Sequence, residues 1–476
     1  TLFPYTTLFR SFTNSHFVNN SDSASSIEQS KGSLIQLTGK TVSFLNSRFE
    51  NNTNLIFVSN TELILQNITV INLKPVKNIR RLIKAHYTSL DISNFYVNSE
   101  LTKSGSDSWF QVFNSKLNVT NLTMENIKAN SGYIFDLVRT RLTIKDTNIQ
   151  RCNFEIFGGM IQAIEGREIQ IQDSIFLNIN HLITATSYNS LTFRNLTVHQ
   201  TYFSRESIQI QNASFIDISA VSISSTQHEG MNSIISLTEP QDSAVININR
   251  LNISNVSTMN GALYVQSKFI NLSLAISDSL FVNDMSTSYA GAITILNTVS
   301  QKPYQAPLLP NKFVFINSVF LHNKALEYRS TGGRGGALYL SSDPESYITA
   351  VYQIINCTFQ ENVAAKFGGA IYSYGPQPVI QSSTFITNTA SNRVNHIGSQ
   401  AVSLSLNTTD IPFDPSNSLG LPIIDITSSP PRVYLNNLTS GQPIPEEYNM
   451  VIKLADWYGQ RVLDDSSSAL DIYTEG

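Results

Sequence analysis

The stretch IINCTFQENVAAKFGGAIY, residues Ile354–Tyr372, holds two patterns in a row. The first reads apolar, any, Asn, small, any, Phe, any, any, Asn. The second is Gly-Gly-Ala followed by an apolar residue. Both recur. The first returns as FINSVFLHN from Phe315, IQSSTFITN from Ile380 and ISDSLFVND from Ile276. Towards the N-terminus it returns as FRNLTVHQT from Phe193, IQNASFIDI from Ile210, IQDSIFLNI from Ile171 and IKDTNIQRC from Ile144. VTNLTMENI from Val119, LQNITVINL from Leu65, LNSRFENNT from Leu45 and FTNSHFVNN from Phe12 complete the series. The spacing is irregular, mostly about 20–40 residues, the range of solenoid repeats.

Before the Asn, apolar residues alternate, as in Leu63-x-Leu65 and Ile169-x-Ile171. Period two means a strand with one face buried. After the Asn the next apolar anchor comes three residues on: Asn46 to Phe49, Asp173 to Phe176, Asn356 to Phe359. An odd offset breaks the alternation, so the chain must bend at the Asn, and Asn and Asp tolerate the left-handed backbone of a bend. Each repeat therefore reads strand, bend, strand, variable loop. Leucine-rich repeats fit worse, because a helix-forming half-repeat is missing and the Asn comes one position early. The reading is all-β, a parallel β-helix with stacked strands about 4.8 Å apart, inward Asn side chains forming an amide ladder, and Phe rings stacked inside. Roughly a dozen to fifteen rungs would make a rod about 60–70 Å long.

Composition agrees. Of 476 residues only 14% are charged, with 31 basic against 35 acidic side chains, below the roughly 25% charged content of an average domain. Near-neutral balance leaves no electrostatic footprint for nucleic acid. Cys152 and Cys357 are the only cysteines, which excludes a disulfide scaffold and a cysteine metal cluster. They fall about eight repeats apart, on the order of 40 Å, too far to pair. No run of about 18 apolar residues marks a membrane span. The chain does not begin with Met and shows no signal peptide, so it is expected to be a piece of a longer protein. Residues 1–11, TLFPYTTLFRS, match no later segment, resemble translated sequencing-adapter readthrough, and are set aside from the fold.

The glycines of STGGRGGALYL, Ser330–Leu340, raise the question of a phosphate loop. A P-loop needs Lys-Ser or Lys-Thr after the glycines, and none follows. A dinucleotide fingerprint needs a further glycine where Leu338 stands, and a helix where ALYLSS reads as strand. Gly335-Gly336-Ala337 recurs one repeat later as Gly368-Gly369-Ala370 with no arginine beside it. The reading is architectural: tight turns and close stacking.

With F-x-x-N at Phe320–Asn323, Phe359–Asn362 and Phe385–Asn388 alternating with these glycines, the chain resembles the repeat of polymorphic outer-membrane proteins. The likeness is carried by about 260–400, including FVNDMSTSYAGAIT from Phe281 and NGALY from Asn260, and is weaker over about 12–260. It implies a right-handed parallel β-helix of the pectin-lyase-like class. Very large surface proteins of ciliated protozoa carry similar repeats, followed by β-sandwich modules, Cys-rich repeats and a membrane anchor. The resemblance thus implies an extracellular location and a parent chain anchored downstream.

Some pectin-lyase-like folds cleave polysaccharides with clustered carboxylates. Asp146 and Asp173 share one column and are the weak candidates for a calcium or catalytic pair, against a plain role as bend residues. Asp278 recurs later, and Asp464-Asp465 lies outside the repeats. The seven histidines are scattered, QHEGMNS from Gln227 reads as a loop insertion, and no G-x-S-x-G elbow is present. Sequons are frequent, for example at Asn51, Asn67, Asn118, Asn195, Asn252, Asn356, Asn407 and Asn437. With ladder amides read as inward, Asn407 and Asn437 are the favoured glycan acceptors.

The expected organisation is repeats over 12–406, a Pro/Ser-rich linker over 407–432, and the opening strands of a β-sandwich module over 433–476. The expected role is a non-enzymatic, cofactor-free extracellular stalk or adhesin-like region meeting carbohydrate or protein partners. The rival readings are a polysaccharide lyase or hydrolase and a bacterial autotransporter passenger domain.

Overall fold

A computed structural model describes residues 11–18, 33–38, 41–51, 54–72, 82–98, 108–129, 132–154, 158–179, 181–200, 206–225, 232–268, 271–299, 309–328, 331–342, 350–391, 396–399, 403–407, 423–425, 432–434 and 451–455. Among these residues all regular structure is strand. Among them no helix is long and apolar enough to cross a membrane.

Almost all pairing is parallel. One column runs in unbroken register through Phe12, Phe44, Leu65, Ile92, Val119, Ile144 and Ile171. It continues through Phe193, Ile218, Ile248, Ile276, Phe315, Ile354 and Ile380. A second column links Phe17 to Phe49 and Val70, and later Phe281 to Phe320, Phe359 and Phe385. Alternation explains the strands: Glu62–Ile71 and Lys116–Glu125 each bury every second residue on either side of a central pair of exposed ones. That central pair is the bend, where an odd offset lets both halves point the same set of residues inward.

A third strand set lies where the sequence reads as variable loop. Ile83–His86 and Phe110–Phe113 pair in parallel, and the set continues to Leu338–Ser342 and Ile371–Tyr374. These are short strands with a single polar–apolar alternation, a weak signal beside the ten-residue runs. Three strand sets and three columns of left-handed corners result, with a short fourth parallel set running from Ser257–Thr258 to Thr389–Ala390. One corner column includes Asn46, Asn67, Asn94, Asn121, Asp146 and Asp173; another includes Asn60, Tyr87, Asn114, Arg139 and Asn212; the third includes Asn51, Asn72, Asn255 and Asn283. IQNASFIDI from Ile210 consequently belongs to a different phase from its apparent relatives. Ile218 is the partner of Phe193, so Ala220 occupies the ladder corner and Asn212 the preceding one.

The inner face forms one continuous apolar core from Leu37 to Ile371. Rings stack along it: Phe12 on Phe44 at 4.5 Å, Phe17 on Phe49 at 4.7 Å, Phe320 on Phe359 at 4.8 Å and Phe359 on Phe385 at 5.0 Å between centroids. The separation matches the strand spacing, because each ring hangs from the same register position of the next strand.

Parallel pairing reaches Ile397–Ser399. Beyond it, Ser403–Asn407 pairs antiparallel with Val451–Ala455, and Ile423–Asp425 antiparallel with Arg432–Tyr434. Asn437 and Asp464-Asp465 lie outside the described residues, as does the Asn407 side chain; QHEGMNS is outside them except for its last two residues.

Candidate functional site

Gly335 and Gly368 occupy one column, three residues before the paired Leu338 and Ile371. The Gly335 N–H donates to Phe367 O at 2.9 Å and the Gly336 N–H to Gly368 O at 3.0 Å. Both Gly335 and Gly368 have positive φ, +70° and +63°. A Cβ on Gly335 would stand 2.0 Å from Leu338 O, and one on Gly368 2.1 Å from Ile371 O. The carbonyls turn into the space a side chain would fill, which is why only glycine serves here. Two of the four glycine N–H groups that a phosphate loop would aim at a ligand therefore already bind the next strand.

The extra Gly332-Gly333-Arg334 brings a cation to an aromatic cluster. Glu327–Tyr328 pairs antiparallel with Thr331–Gly332, and Glu327 bonds Lys366 at 3.1 Å. Arg334 bridges to Phe367, and its guanidinium lies 5.3 Å from the centre of the Tyr372 ring. Tyr339 stacks on Tyr372 at 5.7 Å and packs on Tyr289 at 4.8 Å. Burial pushes the Tyr339 hydroxyl up to about 12, with Arg334 pulling the other way. Arg334 Nε is buried with no hydrogen-bond partner. The cation is thus held by the ring face rather than by an acid.

F-x-x-N supplies a second, inner amide column. Asn323, Asn362 and Asn388 are buried. Asn323 Nδ2 donates to Asn362 Oδ1 at 3.0 Å, and Asn362 Nδ2 to Asn388 Oδ1 at 2.9 Å. The backbone N–H groups of Asn323 and Asn362 donate to the same oxygens at 3.0 Å each. Phe320 and Phe359, Ala337 and Ala370 fill the core around them, and Phe385 packs against it partly buried. Register places Asp284, not Asn283, at the head of this column, since Phe281 pairs with Phe320. Asn283 sits instead at an outer corner and donates to Asn255 at 3.2 Å. Asp284 Oδ1 accepts the Val256 N–H at 3.3 Å, while Oδ2 is buried without a partner. Burial pushes this carboxyl well above the usual carboxylate range, with the Val256 N–H opposing. The sequence carries the signal for this group, an Asp in the fourth place of F-x-x-N, but the neighbouring Asn masks it.

The bend asparagines point outward, which corrects the inward ladder expected from sequence. Asn67 Nδ2 donates to Asn46 Oδ1 at 2.8 Å, Asn94 to Asn67 at 2.8 Å, and Asn121 to Asn94 at 2.7 Å, all exposed. A left-handed residue at a corner turns its Cβ away from the core while its amide still meets the next amide along the column. Asp146 and Asp173 are adjacent members of this column and both are exposed. Asp173 accepts from Asn195 at 2.9 Å, and Asp278 accepts from Asn317 and Asn249, each at 3.1 Å. Asp173 and Asp278 thus act as ladder acceptors, and among the described residues no group of three or more His, Cys, Asp or Glu is placed to hold a metal.

Cys152 and Cys357 are both buried free thiols. Burial pushes Cys152 up to about 12 and raises Cys357 as well. His181 is buried, with Nε2 2.8 Å from Thr184 Oγ1 and Nδ1 against the Glu206 carbonyl. Its ring packs on Gly159, where a Cβ would meet it at 2.4 Å. Nothing in the sequence marks this pair, and the ring is buried. No protein-family model matches the chain, and no curated protein matches it.

Proposed function

We propose that the chain is a right-handed parallel β-helix serving as a non-enzymatic extracellular stalk or adhesin-like region of a larger surface protein. The observation that carries the reading is the unbroken column from Phe12 to Ile380, with parallel strands returning to the same register each time. Parallel strands joined in sequence order coil right-handedly almost without exception. The features that first suggested chemistry have architectural work instead. The paired glycines let one strand turn against the next, Asp173 and Asp278 accept ladder hydrogen bonds, and the inner amides bind one another. Function then rests on shape: stacked rungs hold loops and polar faces at fixed spacing for carbohydrate or protein partners.

The test has two arms. Antibodies raised against residues 33–391 should label intact, unpermeabilised cells of the source organism. The purified chain incubated with acidic polysaccharides should release no unsaturated or reducing ends. Labelling only after permeabilisation refutes the surface role, and measured depolymerisation refutes the non-enzymatic one.

A further inference from the structure

Four sequon asparagines share a single corner column: Asn67, Asn121, Asn195 and Asn356. Their backbones are nearly identical, with φ of 54°, 53°, 52° and 51°. All four side chains are exposed, while the residue after each is buried in the core. The hydroxyl residue at the third sequon place is Thr in every case, at Thr69, Thr123, Thr197 and Thr358. The four amides make the same bond, donating towards the N-terminal end of the column: to Asn46 at 2.8 Å, Asn94 at 2.7 Å, Asp173 at 2.9 Å and Asn317 at 2.9 Å. An amide nitrogen carries two hydrogens, and this ladder uses one. An N-glycosidic bond replaces one hydrogen and leaves one, so a sugar and the ladder bond are compatible.

Spacing favours the same conclusion. Between Asn67 and Asn121 the column holds Asn94, followed by Phe-Tyr rather than a sequon. Asp146 and Asp173 separate Asn121 from Asn195, and Ala220, Arg250, Asp278 and Asn317 separate Asn195 from Asn356. No two of the four are neighbours in the column. Adjacent members would set sugars about 4.8 Å apart, less than the width of a pyranose; alternate members double that distance. Sequons within strands are placed differently. Asn118 lies mid-strand and donates to Asp91 in the adjacent strand, and Asn252 lies mid-strand with its Oδ1 buried.

We propose that Asn67, Asn121, Asn195 and Asn356 are N-glycan acceptors, so that this corner of the coil carries a row of glycans. The inference rests on the extracellular reading, since the linkage is made on entry to the secretory pathway. It also reverses the choice of Asn407 and Asn437 made from an inward ladder.

The test is secretion of the full chain from a eukaryotic host behind a heterologous signal, with site-by-site occupancy read by mass spectrometry after enzymatic deglycosylation. Occupancy is expected at all four corner sites in the secreted, protease-resistant pool and not at Asn118 or Asn252. Each of Thr69→Val, Thr123→Val, Thr197→Val and Thr358→Val should remove one glycan step on a gel. These changes abolish the sequon but keep the ladder Asn and a β-branched strand residue, so folding is preserved. A secreted, protease-resistant chain unmodified at the corner sites, or modified equally at Asn118 and Asn252, overturns the proposal. Failure of the extracellular reading shows elsewhere, as absent surface labelling in the source cells.

Discussion

Asp284→Asn should stabilise the protein, and by an amount that grows with pH. In the inner column Asn323, Asn362 and Asn388 each send Nδ2 to the carbonyl of a phenylalanine one rung back: Phe281 at 3.1 Å, Phe320 at 3.0 Å and Phe359 at 2.9 Å. The same step back from Asp284 leads to Ile253, the partner of Phe281. Its other column neighbour, Asn323 Oδ1, already accepts the Asp284 N–H at 3.1 Å. A carboxylate at 284 therefore offers an acceptor where two acceptors wait. Protonation resolves one conflict, in keeping with a carboxyl that burial raises well above its ordinary value. Because the folded state holds this proton more tightly, the stability it contributes is full below the unfolded pKa near 3.9. It is lost as pH rises towards the folded value, at up to about 1.4 kcal/mol per pH unit. An amide has no such dependence and adds one or two hydrogen bonds, worth about 1 kcal/mol each. Hydrogen exchange of peptides spanning 250–290, compared between wild type and Asp284→Asn from pH 4.5 to 8, reads this locally, which suits a chain whose stability is spread along repeats. Near pH 4.5 the variant should be protected about tenfold more than wild type, and the ratio should climb by up to about tenfold per pH unit. A ratio that does not change with pH, or a variant less protected than wild type at pH 8, refutes the reasoning.

The converse change, Asn362→Asp, should import the same defect, because one carboxyl proton cannot replace two amide donors: a melting temperature already below wild type near pH 4 and falling further as pH rises, measured by circular dichroism. Phe320→Ala removes a buried ring stacked between Phe281 at 5.3 Å and Phe359 at 4.8 Å. It should cost about 3–5 kcal/mol by urea denaturation, and a loss below about 1 kcal/mol would mean the column does not stack. Gly368→Ala combines positive φ with a Cβ 2.1 Å from a carbonyl oxygen. It should cost about 3 kcal/mol or more, seen as rapid exchange in peptides covering 359–374. Cys152, with its thiol pushed up to about 12, should react with a disulfide reagent roughly a thousandfold more slowly in the native protein than in urea.

Much of this architecture is legible in the sequence because two periods collide at one residue. Alternation up to Leu65 and again from Ile68 is out of phase, and Asn67 between them is the residue type that can absorb the phase change. The same logic failed for the third strand set. Segments such as Ile83–His86 are four residues long, and their pattern is drowned by the insertions beside them. The direction of the bend amides was also unreadable. Alternation says which strand residues face inward, but a left-handed corner residue belongs to neither face. At Asn212 a local match to the motif is outweighed by strand pairing, which only the register of neighbouring strands reveals. Asp284 shows the reverse case: a one-residue ambiguity in FVND, settled by the pairing of Phe281 with Phe320.

The bonds of the outer ladder join residues 21 positions apart at Asn46 and Asn67, and 39 apart at Asp278 and Asn317. The column does not register the difference. Whatever is spliced between two rungs leaves the next rung where it was, so a lineage carrying this fold can rewrite its loops without renegotiating its frame. Change in the loops and selection for folding then act on separate letters of the same sequence.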